Sequence, residues 1–203
     1  MQAVFFDFDG VLTTDPTGSY SICRYIAAAA GVEEAAFTKA YRTYNHDLLL
    51  GKTTHAAIWP QVCARLGVEL PYQLLIDSFL HTPLDAHMLT LVRRLKNAGY
   101  QTGMITDNKQ DRIDCLVRHH HWETLFDTVI VSAAVGSGKE GRRIFEQAAK
   151  ALSVPMEACV FIDNQEKNLI VPRALGMKTI YFDHEKRDFP ALTEVLREAG
   201  VSC

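Results

Sequence analysis

Residues 4–15 read VFFDFDGVLTTD, an apolar run that ends in two carboxylates. The segment Ala3-Val4-Phe5-Phe6 has the composition of a buried strand, and Gly10 interrupts it as a turn would. Asp7 and Asp9 stand where that run stops. Unpaired buried charge is costly, so a buried strand has no structural use for two acids at its mouth. They belong at the carboxyl end of the strand, where open α/β sheets place their ligands. The alternative is a surface turn that happens to hold two aspartates.

The rest of the chain supports the first reading. Its 203 residues are 48% hydrophobic and 22% charged, a globular composition with room for one large domain or a domain with a small insert. A net charge of -3 with scattered Lys and Arg argues against a nucleic-acid partner. No run of ~20 apolar residues is present, so no membrane span is expected. The first strand begins so early that no signal peptide is expected. Cys23, Cys63, Cys115, Cys159 and Cys203 show no paired spacing and read as reduced thiols in a cytoplasmic protein.

Residues 84–203 alternate short apolar runs with helical patterns. YQTGMI (100–105), TVIV (128–131), ACVFI (158–162) and KTIYF (178–182) are strand candidates. Helices are expected over 84–98, from about 110 to 121, and near 141–152, 166–175 and 190–199. With the first run this makes five strands separated by helices, the pattern of an α/β, doubly wound parallel sheet. Residues 15–83 carry helical patterning and are too long for a simple crossover. They read as a helical insert after strand one, standing above Asp7 and Asp9. The expected division is a core of 1–14 and 84–203 and a cap of 15–83.

Later strands also end in polar groups: Thr106, Asp107 and Asn108 after MI, and Asp163 and Asn164 after VFI. Lys139 sits in the Gly-rich SAAVGSGKEG between them. Parallel strands would converge these groups on one spot. Clustered acids call for a cation, and hard oxygen ligands favour Mg²⁺, which commonly keeps a phosphate among its ligands. A lysine and a threonine hydroxyl suit the other phosphate oxygens.

In order and spacing, DFDGVLT, MITDN, the Lys139 segment and VFIDNQEKNLIVPRALGM resemble the four motifs of the haloacid dehalogenase-like hydrolase superfamily. The resemblance covers nearly the whole chain and implies a Rossmann-like core with a small helical cap. It implies Asp7 as nucleophile forming an aspartyl-phosphate, and Asp9 as general acid and then base. The dehalogenases of that superfamily lack an acid at the Asp9 position, so the resemblance favours phosphate chemistry. Thr106, Asp107, Asn108 and Lys139 would hold the phosphoryl group. Asp7, the Asp9 carbonyl, Asp163 and Asn164 would hold Mg²⁺. The implied activity is a phosphomonoesterase acting on a small phosphorylated metabolite, of the sugar-phosphate or nucleotide class. A phosphomutase of the β-phosphoglucomutase kind shares the motifs, and a non-catalytic binding module is a further alternative. Relatives often carry two acids where this chain has Asp163-Asn164. Either Asn164 offers its carbonyl oxygen, or Asp163 reaches the ion, or the metal is weakly held.

Several other residues have plainer readings. Asn168 reads as a loop residue bonded to backbone. His119, His120 and His121 point in different directions on a helix and read as its solvated end. Tyr41, Tyr44 and Trp59 read as the small core of the insert. Arg24 and Lys52 are candidate substrate contacts from the insert.

Overall fold

The structure, a computed structural model, describes residues 1–202. Cys203, counted above among the thiols, lies outside the described residues. Strands β1 (Ala3–Phe6), β2 (Gln101–Thr106), β3 (Thr128–Val131), β4 (Cys159–Asp163) and β5 (Lys178–Tyr181) form one sheet in the order β3-β2-β1-β4-β5. Every pairing is parallel. The α/β doubly wound class expected from the sequence is the class observed.

β1 is central because it is apolar on both faces. Val4 and Phe6 enter one core, while Ala3 and Phe5 enter the other. The first core packs against α6 (Ala86–Asn97), α7 (Gln110–His120) and α11 (Phe189–Glu198). The second packs against α9 (Arg143–Ala151) and α10 (Glu166–Ala174). Short α8 (Ser132–Val135) follows β3. Chain connections leave β1 toward β2 and leave β4 toward β5, so the topological switch point lies between β1 and β4. A crevice for ligands opens there, outside the carboxyl ends of the two strands.

Between residues 15 and 83 the regular structure is helical: α1 (Gly18–Ala30), α2 (Glu34–Arg42), α3 (Asn45–Leu49), α4 (His55–Leu66) and α5 (Gln73–Leu80). They share an apolar cluster of their own, built on Ile22, Phe37, Tyr41, Trp59, Val62 and Phe79. Tyr41 and Trp59 are thus core residues of this segment, and Tyr44 packs at its edge. Two chain segments join the helices to the sheet domain, and they are paired to one another. Thr14 N–H donates to Pro83 O (2.9 Å) and Asp85 N–H donates to Leu12 O (2.9 Å). Arg187 clasps the junction, donating to Asp85 Oδ2 (2.6 Å), Val11 O (2.9 Å) and Gly10 O (3.2 Å). Cys23, Cys63, Cys115 and Cys159 are free thiols. No helix among the described residues is long and apolar enough to cross a membrane.

The second core has little slack. Phe161 on β4 is fully buried and meets Phe145 edge-on, with ring centroids 5.5 Å apart. Phe161→Ala is expected to lower unfolding free energy by about 3–5 kcal/mol through lost burial and the cavity left behind. Urea unfolding of the two proteins measures this, and a loss under about 1 kcal/mol would mean the core collapses around the gap.

Candidate active site

The sheet register delivers the first group. Asp7 follows Phe6, which pairs with Ile162, and its N–H donates to Ile162 O at 2.9 Å. Asp7 therefore stands level with Asp163 at the switch point. Lys139, in the turn ahead of α9, reaches between them. Its Nζ lies 2.7 Å from Asp7 Oδ1 and 2.7 Å from Asp163 Oδ2. All three groups are buried. Asp7 Oδ1 also accepts from Phe8 N–H (2.7 Å), so its recorded contacts all fall on one oxygen.

Burial pushes the Asp7 carboxyl well above its ordinary range, with Lys139 opposing and Asp163 adding to the rise. Burial alone would lower Lys139. The carboxylates of Asp7, Asp163 and Asp107 outweigh it and hold the lysine above its usual value, as an ammonium. Three acids thus share one cation.

Asp163 was expected among the metal ligands, but both of its oxygens are taken. Oδ1 accepts from Gln165 N–H (2.7 Å) and Asn168 Nδ2 (3.1 Å), and Oδ2 from Lys139 and Asn168. Asn168 therefore orients Asp163 through its side chain and bonds a carboxylate rather than the expected backbone. Asn164 is different: its Oδ1 is buried and has no hydrogen-bond partner. The turn beside it is shaped to meet it. Gly10 has φ of 85°, and a Cβ there would come 2.2 Å from Asn164 Nδ2. Only glycine fits both demands.

The phosphate set divides in the same way. Thr106 ends β2 and lines the cavity, and so does Asp107. The Asp107 carboxylate accepts from Lys139 N–H (3.0 Å), so it fixes the lysine turn. Burial raises its pKa. Asn108 was expected at the phosphate and instead faces inward. Its Nδ2 donates to Asp9 Oδ2 (2.8 Å), and its Oδ1 accepts from Arg112 (3.1 Å) and Lys109 N–H (3.1 Å).

Arg112 is the residue the sequence reading missed. It is fully buried on α7 and grips Asp9 with two parallel bonds, Nη1 to Oδ2 at 2.9 Å and Nη2 to Oδ1 at 3.0 Å. Nη2 also reaches Thr82 Oγ1 (3.3 Å), beside the junction with the helical segment. From the other side Gly18, the first residue of α1, leaves no room: a Cβ there would lie 1.9 Å from Nη1. A signal existed, since Arg112 precedes Ile113 and Leu116 on the apolar face of its helix, where an unpaired charge is out of place.

A cavity of about 300 Å³ lies over these groups. Asp7, Asp9, Thr106 and Lys139 line it from the sheet side, and Ser19, Arg42 and Asn45 from the helices above. Arg24 and Lys52 do not line it; Arg24 bonds Tyr20 OH at 3.3 Å elsewhere. His119, His120 and His121 end α7 away from the cavity. No three His, Cys, Asp or Glu side chains among the described residues form a ready metal cluster. Asp7 and Asp9 line the cavity, and the buried Asn164 Oδ1 is a further oxygen without a partner.

A family model described as haloacid dehalogenase-like hydrolase matches residues 1–176. An (S)-2-haloacid dehalogenase of Pseudomonas putida is 26% identical over 133 residues, 64% of this chain and 59% of that protein. A glyceraldehyde 3-phosphate phosphatase of Pyrococcus furiosus is 33% identical over 94 residues, 46% of this chain and 39% of that protein. The chain thus spans less than two thirds of the length of these curated relatives. Among solved structures, a HAD family enzyme of Bacteroides thetaiotaomicron in complex with magnesium and inorganic phosphate superposes with a TM-score of 0.75 at 15% identity. That match covers 95% of this chain and 98% of the other. A HAD phosphatase of Thermococcus onnurineus gives 0.67 at 17% identity, covering 100% and 99%.

The grip of Arg112 on Asp9 is a mostly buried ion pair, so removing one partner should be severe. Arg112→Met is expected to cost about 2–4 kcal/mol of stability, and Arg112→Lys to recover only part, because lysine lacks the planar fork. Denaturant unfolding decides it, and a loss below about 1 kcal/mol would mean the pair is dispensable.

Proposed function

The chain belongs to the haloacid dehalogenase-like hydrolase family, and we propose that within it this protein is a Mg²⁺-dependent phosphomonoesterase for a small phosphorylated metabolite. The observation that carries the reading is the pairing of Asp7 with Lys139 beside an acid, Asp9, at the mouth of one cavity. Asp7 offers its second oxygen to phosphorus while Lys139 steadies the first. As the new bond forms, the bond to the leaving oxygen breaks, and Asp9, released from Arg112 and protonated from solvent before this step, supplies the proton that oxygen needs. A water then attacks the phosphoryl group on Asp7 and gives its proton to Asp9, and the Asp7–phosphorus bond breaks. Thr106 and Lys139 meet the charge on the phosphoryl oxygens. Residues 15–83 serve as a cap that excludes water from the first step.

The donor set fits a hard divalent cation. Asn164 presents a buried, unpartnered carbonyl oxygen, and Asp7 and the Asp9 carbonyl complete a sparse set of the kind Mg²⁺ accepts while keeping waters and a phosphate. When bound, Mg²⁺ supplies positive charge that favours the ionised form of Asp7 and the anionic phosphoryl group. Asp163 lies outside this set, because Lys139, Asn168 and Gln165 already occupy it. The dehalogenase relatives give a second reading, removal of halide from a 2-halo acid through the same nucleophile. Asp9 on the cavity wall favours the phosphate reading, since a halide leaves without a proton.

Phosphate release from a panel of small phosphomonoesters is expected with Mg²⁺ and lost with chelator, without any bisphosphate primer. Asp7→Asn should reduce it by at least about a thousandfold. Calorimetry should show Asn164→Asp tightening Mg²⁺ about tenfold and Asn164→Leu removing most binding. Halide release from 2-chloropropionate with no phosphate release would overturn the proposal in favour of dehalogenation, and a primer requirement would favour a phosphomutase.

A further inference from the structure

We infer that the ammonium of Lys109, at the wall of the cavity beneath the helical segment, binds a second anionic group of the substrate, so that the ester cleaved at Asp7 also carries a carboxylate or another phosphate. The inference rests on the phosphomonoesterase reading and narrows its substrate class.

Every other buried charge around the cavity has a partner. Asp9 has Arg112, Asp7 and Asp163 share Lys139, and Asp107 accepts the Lys139 N–H. Lys109 has none of these. It is 5% exposed and lines the cavity. Its ammonium has three hydrogens to place, yet its recorded hydrogen bond is one long contact to Ser19 Oγ at 3.4 Å. The face of Tyr41 lies below it, 5.9 Å from Nζ to the ring centre. No carboxylate pairs with it among the described residues. Buried lysines are rare unless paired, so a site that holds one open has a missing counter-charge. Burial and the nearby Arg112 pull Lys109 down to about 8, as expected of an ammonium short of partners.

The surroundings favour an anion as that missing partner. Arg42 lines the same cavity from α2, and Lys167 does so from α10. Ser19 and Asn45 add neutral hydrogen-bonding groups beside them. The volume of about 300 Å³ is at the small end of ligand sites, so both anionic groups belong to one short molecule. A neutral alkyl chain would leave Lys109 desolvated and unpaired when the cavity is filled, and a sugar hydroxyl would satisfy its hydrogens but not its charge. A chain ending in an anion would pair it. The selectivity therefore has both an attractive and a repulsive part.

Non-hydrolysable phosphonates test this without depending on turnover. Calorimetry with Mg²⁺ compares ω-carboxyalkylphosphonates with alkylphosphonates of equal length over a short series, with α,ω-bisphosphonates as a third arm. At the best length the charged ligand should bind about tenfold or more tightly than its neutral match. The better of the carboxylate and bisphosphonate arms identifies the second anion. In Lys109→Met the charged-to-neutral ratio should fall to about one, and Lys109→Gln, which keeps a polar end without the charge, should do the same. A ratio near one in the unaltered protein, or one that survives both substitutions, overturns the inference. Preference for the charged phosphonate with no phosphate released from any ester would sink the phosphatase reading and leave the Lys109 subsite standing.

Discussion

The site depends on one ammonium held between two strand ends. Lys139 touches Asp7 at the end of β1 and Asp163 at the end of β4, both at 2.7 Å. Taking three charges out of water carries a desolvation penalty of several kcal/mol per ion, and their mutual attraction repays it only with good geometry and full hydrogen bonding. Asn168, Gln165 N–H, Phe8 N–H and the Asp107 carboxylate supply that bonding. The balance is still one positive charge against several negative ones. This shortage explains the elevated Asp7 and the fit of a divalent cation with one physical cause.

A second consequence concerns the helical segment. α7 is the main core element that meets it, and the contacts are mostly polar, although Cys115 packs against the helices' apolar cluster and Ser132 at the start of α8 donates to Leu49 O (2.7 Å). Arg112 spans Asp9 and Thr82, and Gly18 lies against the guanidinium. One residue earlier Asp111 bonds His55 Nδ1 (2.7 Å), and His55 Nε2 meets Tyr41 OH (2.8 Å) inside the apolar cluster of the helices. A hydrogen-bonded seam can open and reclose without exposing a large apolar face, which suits a lid better than a greasy interface would. The price is specificity of fit: a substitution at Gly18 disturbs Asp9 through Arg112.

Legibility followed from how each residue earns its place. The five strands were readable because a sheet covered on both faces must be apolar along its length, as in AVFF and CVFID. Asp7 and Thr106 stood out because polar groups where apolar runs stop contradict their surroundings, whereas Lys139, in the Gly-rich SAAVGSGKEG, stood out only through its resemblance to a family motif. The division of labour between Asp163 and Asn164 was not readable. Successive residues at a strand end point in opposite directions, so one faces Lys139 and the other the turn at Gly10. Sequence lists both as oxygen donors, and only direction separates them. Asn108 was misread for a related reason: its position after β2 was right, but its amide is spent on Asp9 and Arg112.

Arg112 and Lys109 stand three residues apart at the start of one helix, and the contrast between them separates chemistry from selectivity. Arg112 is matched by a carboxylate of the same chain, so its role is complete before any ligand arrives. Lys109 is buried beside it without such a match, and its environment is completed only from the cavity. The first kind of residue belongs to the proposed reaction centre, where Asp7 and Lys139 would serve an ester or a halo acid alike and only Asp9 speaks for the ester. The second kind faces the part of the molecule that does not react. The relatives this chain matches include a dehalogenase and a phosphatase; on the reading proposed above Asp9 separates these chemistries, and the unmatched charge of Lys109 narrows which ester fits.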